Sequence, residues 1–152
     1  MKKILIIMIS IIALVFLVGC GSNTDTPTGN VVAKISESDD SISIPISAIS
    51  TTLKKLTYNA DGTVVTYFAV LGTDGEVRVA FDACDVCGGS KGYRQEGTDI
   101  VCNNCGKVFR IDGLGTQNKG YGCWPSYLPH QIEGDNVIIK KADIKSGAFR
   151  FA

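Results

Sequence analysis

Two copies of C-x-x-C-G carry the clearest chemistry in the sequence: Cys84-Asp85-Val86-Cys87-Gly88 and Cys102-Asn103-Asn104-Cys105-Gly106, with fourteen residues between Cys87 and Cys102. Two intervening residues let both sulfurs of a pair point into one concavity. The glycine after each pair permits a turn that aims backbone N–H groups at the sulfurs. Two such loops facing each other offer four thiolates at tetrahedral positions, a donor set for zinc or iron. The fourteen-residue gap is slightly below the ~15–20 residues usual for structural zinc ribbons. The competing chemistry is cross-linking, because four cysteines outside the cytoplasm can also close two disulfides. A disulfide framework serves a small, loop-rich chain with a poor core, and tandem C-x-x-C-G has no advantage for tying distant segments together. The spacing therefore points to a metal centre.

The chain has 152 residues, six cysteines and one histidine. With His130 alone, a metal site here must be built mostly from sulfur, and a Ser-His-Asp site has almost no material. The 15 basic and 15 acidic side chains balance, so the charge gives no sign of a nucleic-acid partner. The length allows one domain, or one domain with a tail.

The first segment distorts these averages. Met1-Lys2-Lys3 precedes Ile4 to Val18, fifteen residues that are apolar except Ser10. That is the charged start and apolar core of a secretory signal, whereas a spanning helix needs about 20 residues. An uncleaved short anchor is the alternative. Leu17-Val18-Gly19-Cys20 resembles the lipobox of bacterial lipoproteins, which implies cleavage before Cys20 and lipid on its sulfur. Residues 1–19 read as a signal peptide, 20–33 as a flexible tether and 34–152 as the folded domain. The mature chain then lies outside the cytoplasm, held at the cell membrane through Cys20. It carries 13 basic and 15 acidic side chains, a net charge of −2. The stretch 21–30 has no apolar side chain except Pro27 and cannot bury enough surface to offset its ordering entropy.

The elements that must position the cysteines read as strands. Ile42, Ile44 and Ile46 alternate with Ser43, Pro45 and Ser47, with Pro45 predicting an edge strand or the start of one. Leu53–Tyr58 and Thr63–Leu71 flank Asn59-Ala60-Asp61-Gly62, a hairpin signal. Thr73-Asp74-Gly75 turns the chain into Glu76–Asp82, and this meander is expected to show one face to a core and the other to water. Tyr93–Glu96, Ile100-Val101, Val108–Ile111 and Val137–Lys140 are further strands, and Lys141–Ser146 a single helical turn. No long stretch keeps a 3.6-residue period, so the fold class is all-β.

The order of ligand pair, hairpin, second pair, Phe109 strand, proline loop (Gly122 to Pro129) and closing strand resembles a Rieske-type domain. The resemblance implies a small sandwich or barrel with the two C-x-x-C-G loops forming a metal-binding subdomain. Rieske domains place histidine at two of the four ligand positions, whereas this chain has Cys87 and Cys105 there. That departure removes the histidine ligation that raises the potential. It leaves an all-thiolate [2Fe–2S] cluster, which is favoured, a mononuclear iron, or a zinc.

A closer resemblance rests on Phe81-Asp82-Ala83-Cys84-Asp85-Val86-Cys87, Lys91-Gly92-Tyr93-Arg94-Gln95-Glu96-Gly97 and Val101-Cys102-Asn103-Asn104-Cys105-Gly106. These runs are similar to the FtrD-like family of membrane-associated iron–sulfur proteins, and the likeness extends from about Ile42 to Phe151. It implies an iron centre on Cys84, Cys87, Cys102 and Cys105 and a link to bacterial iron transport. Many family members are fused to membrane spans, whereas here the lipobox would do the anchoring.

Cys123 remains. By the Rieske-like order it sits on the loop that covers the centre, as an additional metal ligand, a redox-active thiol or a buried thiol packed nearby. His130 reads as a surface residue. Asp82 and Asp85 read as solvated turn residues beside the first pair. Tyr121, Trp124 and Tyr127 are expected around Cys123, as a water shield or simply as core. Paired carboxylates and a phosphate loop are missing, so hydrolytic and nucleotide chemistry have no candidate residues. The expected role is one-electron transfer with a membrane redox or iron-transport partner. The alternatives are a structural zinc module that displays an interaction surface and, less favoured, a metallochaperone for iron or copper.

Overall fold

A computed structural model describes residues 34–87, 91–115 and 123–152. The expected signal peptide, the tether, Cys20, Gly88 and Tyr121 lie outside the described residues.

The described chain is mostly β, as the periodicity predicts, and its strands form three antiparallel sheets. The outer sheet runs β1 (Ser36–Glu37), β2 (Ser41–Pro45), β11 (Asn136–Lys140) and β10 (Gln131–Glu133). Its register puts Ile44 opposite Val137 and Ile42 opposite Ile139, so one face is a branched apolar surface. The central sheet runs β3 (Lys54–Ala60), β4 (Thr63–Leu71), β5 (Val77–Cys84) and β9 (Pro125–Tyr127). A third, small sheet consists of β6 (Tyr93–Glu96), β7 (Asp99–Cys102) and β8 (Val108–Arg110). The short helix α1 spans Lys141–Ser146, as predicted, and buries Ile144.

The β3–β4 hairpin closes more tightly than its four-residue signal. Only Asp61 and Gly62 lie outside the strands, with φ of 53° and 100°. Left-handed backbone at both positions is the turn whose twist matches that of the flanking strands. Asn59 Oδ1 accepts the Gly62 N–H at 2.8 Å.

Pro45 does not mark an edge strand. β2 lies between β1 and β11, but β1 reaches only Ile42 and Ser43. The missing proline donor therefore faces no strand on that side. Ile46 leaves the strand pattern and begins a 3-10 helical turn over Ile46–Ala48.

The expectation of one watered face fails for the central sheet, and the failure positions the site. Val65, Tyr67, Ala69, Val79, Phe81 and Ala83 pack toward Ile42, Ile44, Val137, Ile139 and Leu128 in a first core. The alternate residues Phe68, Val70, Ala80 and Cys84 pack with Tyr93, Ile100, Cys102, Phe109, Ile111 and Leu114 in a second. β4 and β5 are thus buried on both faces because the small sheet covers the second one. The half-buried pattern survives on β3, whose Lys55, Thr57 and Asn59 remain exposed.

Candidate metal centre

The second core opens into the cysteines. β5 runs directly into Cys84, with a register shift against β9 between Ala80 and Cys84 that re-aims the end of the strand. Past it, the Asp85–Cys87 turn folds back so that Val86 and Cys87 donate their N–H groups to Cys84 Sγ, both at 3.3 Å. The second pair starts at Cys102, the last residue of β7. There Gly106, at φ 73°, turns the chain and donates its N–H to the Cys102 carbonyl at 2.9 Å. A side chain would strain that left-handed conformation. The turn that Gly106 permits aims the backbone N–H of Lys107 at Cys105, as expected of this glycine. Asn103 fastens the loop to the start of β6, its N–H reaching the Gly92 carbonyl at 3.0 Å and its Nδ2 the Lys91 carbonyl at 2.9 Å.

Five thiols converge here. The sulfurs of Cys87, Cys102, Cys105 and Cys123 all lie within 4.8 Å of one another. Cys123 is central, with its Sγ 3.2 Å from Cys84, 3.7 Å from Cys87 and 3.6 Å from Cys105. Cys84, expected among the ligands, meets the group at Cys123 Sγ and at the Cys87 N–H. The sequence left Cys123 between ligand, redox thiol and packed thiol; the fold places its sulfur inside the group. Its proximity comes from β9, whose Pro125 pairs with Cys84, a long-range pairing that no local spacing announces. All five cysteines are free thiols, so the two-disulfide alternative is not what the structure shows.

The thiols are electrostatically unequal. Burial pushes Cys84 up, but N–H bonds from Val86, Cys87 and Trp124 and the contact with Cys123 outweigh it and bring it down to about 7. The Lys107 backbone N–H lowers Cys105. Burial, followed by the neighbouring sulfurs, drives Cys123 strongly upward. A crowd of thiolates repels further negative charge, and a bound cation relieves that repulsion.

Several readings of the neighbours are corrected. Asp82 is not a solvated turn residue: it is buried on β5, its Oδ1 accepts the Tyr93 N–H at 2.7 Å and its Oδ2 lies 2.6 Å from Lys55 Nζ. Gly92 is required beside it, since a Cβ there would run into that carboxylate. Asp85 also has structural partners, accepting from Ser126 Oγ at 2.5 Å and from Arg150 Nη2 at 2.9 Å. This ties the first cysteine turn to β9 and the C-terminal segment. Of the expected aromatics, Trp124 packs edge-on to Phe109 at 5.4 Å, whereas Tyr127 lies against His130 at 6.0 Å. His130 stands apart from the thiols, with Nδ1 3.0 Å from the Leu128 carbonyl.

Sequence reasoning missed Tyr93. It stands opposite Cys102 in the β6–β7 register, its ring edge-on to Phe68 and Phe109 at 6.3 and 6.1 Å. The residue is 1% exposed, and its hydroxyl has no hydrogen-bond partner among the described residues. Burial first, then negative charge on Cys84, Cys123 and Cys102, pushes that hydroxyl far up. Its position two residues after Lys91-Gly92 was visible in the sequence, but its orientation toward sulfur needed the sheet.

An all-thiolate donor set suits soft or borderline metals, zinc, copper(I) and iron–sulfur centres. Metal–sulfur bonds of ~2.3 Å place tetrahedral sulfurs roughly 3.8 Å apart, close to the 3.6 and 3.7 Å separations around Cys123. The geometry fits a thiolate metal centre.

Fold and site define a small β-domain that presents a cluster of cysteines, able to hold a metal, at one end of its second core. The family described as "Membrane iron-sulfur containing protein FtrD-like" matches residues 49–151, and the chain belongs to it. No curated protein and no solved structure matches the chain. Among the described residues, no helix is long and apolar enough to cross a membrane.

Proposed function

We propose that this is a lipid-anchored protein outside the cytoplasm whose cysteine cluster holds an iron–sulfur or iron centre for one-electron transfer in iron transport. The observation that carries the reading is the convergence of five free thiols in a chain of an iron–sulfur family. Lipid anchoring rests on Leu17-Val18-Gly19-Cys20, and transport on the family resemblance. The β6–β7 hairpin that joins the two pairs supports a Rieske-like arrangement of the loops.

When bound, an iron centre supplies a reversible one-electron couple tuned by hydrogen bonds to sulfur and by solvent exposure. The chain's own residues prepare for this. Val86 and Cys87 hold Cys84 as an N–H-bonded sulfur, while Trp124 and Phe109 keep water from the inner side. Cys105 is the exposed sulfur and offers the shortest path for an electron to a partner. No catalytic residue is needed for that role, and the partner is a membrane redox or iron-transport component.

The sulfur spacing of a single tetrahedral ion favours a second reading, a structural zinc module for a membrane partner. Metal analysis with a visible spectrum on the full chain, purified without oxygen, separates the two. Stoichiometric iron with visible absorbance is the expected result; a colourless chain with one zinc overturns the iron reading. Cys20→Ala should release the chain from the membrane fraction, and continued anchoring would remove the lipid part of the proposal.

A further inference from the structure

A tetrahedral centre uses four thiolates, and this site gathers five. The surplus involves one particular pair. Cys84 ends β5 and pairs with Pro125 of β9, so the backbone holds Cys123, two residues before Pro125, next to it. Their sulfurs are 3.2 Å apart, closer than the 3.6 and 3.7 Å from Cys123 to Cys105 and Cys87. A disulfide S–S bond is ~2.05 Å, so an approach of about 1.2 Å closes it, within reach of side-chain rotation. Cys123 is partly exposed and Cys84 is buried. An oxidant therefore meets Cys123 first, while Cys84 waits behind it.

We propose that Cys84 and Cys123 form a reversible disulfide that controls whether the cluster holds its metal, a role that rests on the metal-binding reading above. The oxidant class is a low-molecular-weight disulfide. Cys123 gives up its proton as its sulfur attacks one of the oxidant's sulfurs, forming a mixed disulfide and releasing one thiol. The Cys84 thiolate then attacks the Cys123 sulfur, forming the Cys84–Cys123 bond and releasing the second thiol. Two electrons pass from the cysteines to the oxidant, and their two protons leave on the released thiols. The site then keeps only Cys87, Cys102 and Cys105. Three thiolates leave a tetrahedral ion one ligand short, which opens the site to water and weakens the hold on the metal. Two equivalents of the small thiol reverse these steps, and a dithiol reductant returns both cysteines to thiols as it closes to its own disulfide, which restores the donor set.

The test uses the reduced full chain loaded with Zn²⁺, which has no redox chemistry of its own, so the thiols are the only redox groups. The chain is equilibrated with mixtures of reduced and oxidised glutathione without oxygen. Alkylation and peptide mass mapping then read the linkages, and a colorimetric chelator reads released zinc. A Cys84–Cys123 linkage is expected over the same range of poise in which zinc leaves, with zinc held at least tenfold more weakly. C84S and C123S should keep zinc through that range, because four thiols remain. The proposal is overturned if the linkage maps within a C-x-x-C pair, or if zinc leaves both variants at the same poise as the parent. Should either variant misfold by circular dichroism, the linkage map of the parent chain still decides. A reduced chain that takes up neither zinc nor iron overturns the metal reading and the control of occupancy with it. The linkage map is obtained independently on the metal-free chain, so the two failures are distinguishable.

Discussion

The two faces of the central sheet bury side chains of different character. On the first, Val65, Tyr67, Val79 and Phe81 meet Ile44, Val137, Ile139 and Leu128 in a core of hydrocarbon and rings. On the second, Phe68, Val70 and Ala80 share space with Cys84, Cys102 and the orphaned hydroxyl of Tyr93. The small sheet over that face has strands of four, four and three residues. Short strands with few apolar residues make a marginal layer by themselves, and this one receives both cysteine loops. Burial of hydrocarbon therefore holds the first core. The second relies on the first for its floor and on cysteine chemistry for its rim.

That contrast can be broken most directly at Phe81. Its ring packs against Phe151 at 6.4 Å, lies under the Arg150 guanidinium at 5.2 Å and abuts Gly147. Phe81→Ala should cost ~3–5 kcal/mol by denaturant unfolding, equally with and without metal. A loss that depended on metal would mean that the two cores are one unit. Metal removal is the next test. Stripping it should lower amide-exchange protection in β6, β7 and β8 about a hundredfold, about 2.7 kcal/mol, and leave β2, β4 and β11 protected. Uniform loss would erase the distinction between the cores.

Asp82 sharpens the comparison because it bridges the faces by its backbone and holds β6 through Tyr93. Asp82→Ala leaves the buried Tyr93 N–H unpaired and should cost about 2 kcal/mol, with amide shifts concentrated in β6 rather than in the first core. Tyr93→Phe should have the smallest effect on stability, under about 1 kcal/mol, since its hydroxyl gives up no bond. In the metal-loaded chain it should still alter the visible spectrum or the reduction potential, because the hydroxyl faces sulfur. An unchanged spectrum would mean that the hydroxyl does not reach the centre.

Much of this arrangement was legible in the chain. β6, β4 and α1 fall where alternation and turn residues predict, because each is specified by its own neighbours. β1, β9 and β10 were not seen: two or three residues carry too little periodicity to read. Asp82 and Asp85 were misread for a related reason. A carboxylate beside a turn is solvated by default, and only distant partners, Tyr93 and Lys55 for one, Ser126 and Arg150 for the other, make it structural. Cys123 had no motif of its own: the Rieske-like order put it on the covering loop, and only the pairing of Pro125 with Cys84 brought its sulfur into the group.

By itself the sequence determined an all-β domain, its main strands and two C-x-x-C-G loops with metal-ligand spacing, since these depend on residue type and local separation. The tertiary structure decided that the central sheet is buried on both faces, that a tyrosine hydroxyl is trapped beside the sulfurs, and that the site has five thiols rather than four. Each of these depends on which strands pair across long stretches of chain. The pairing of β5 with β9 is set by the packing of the whole domain, and no local pattern encodes it.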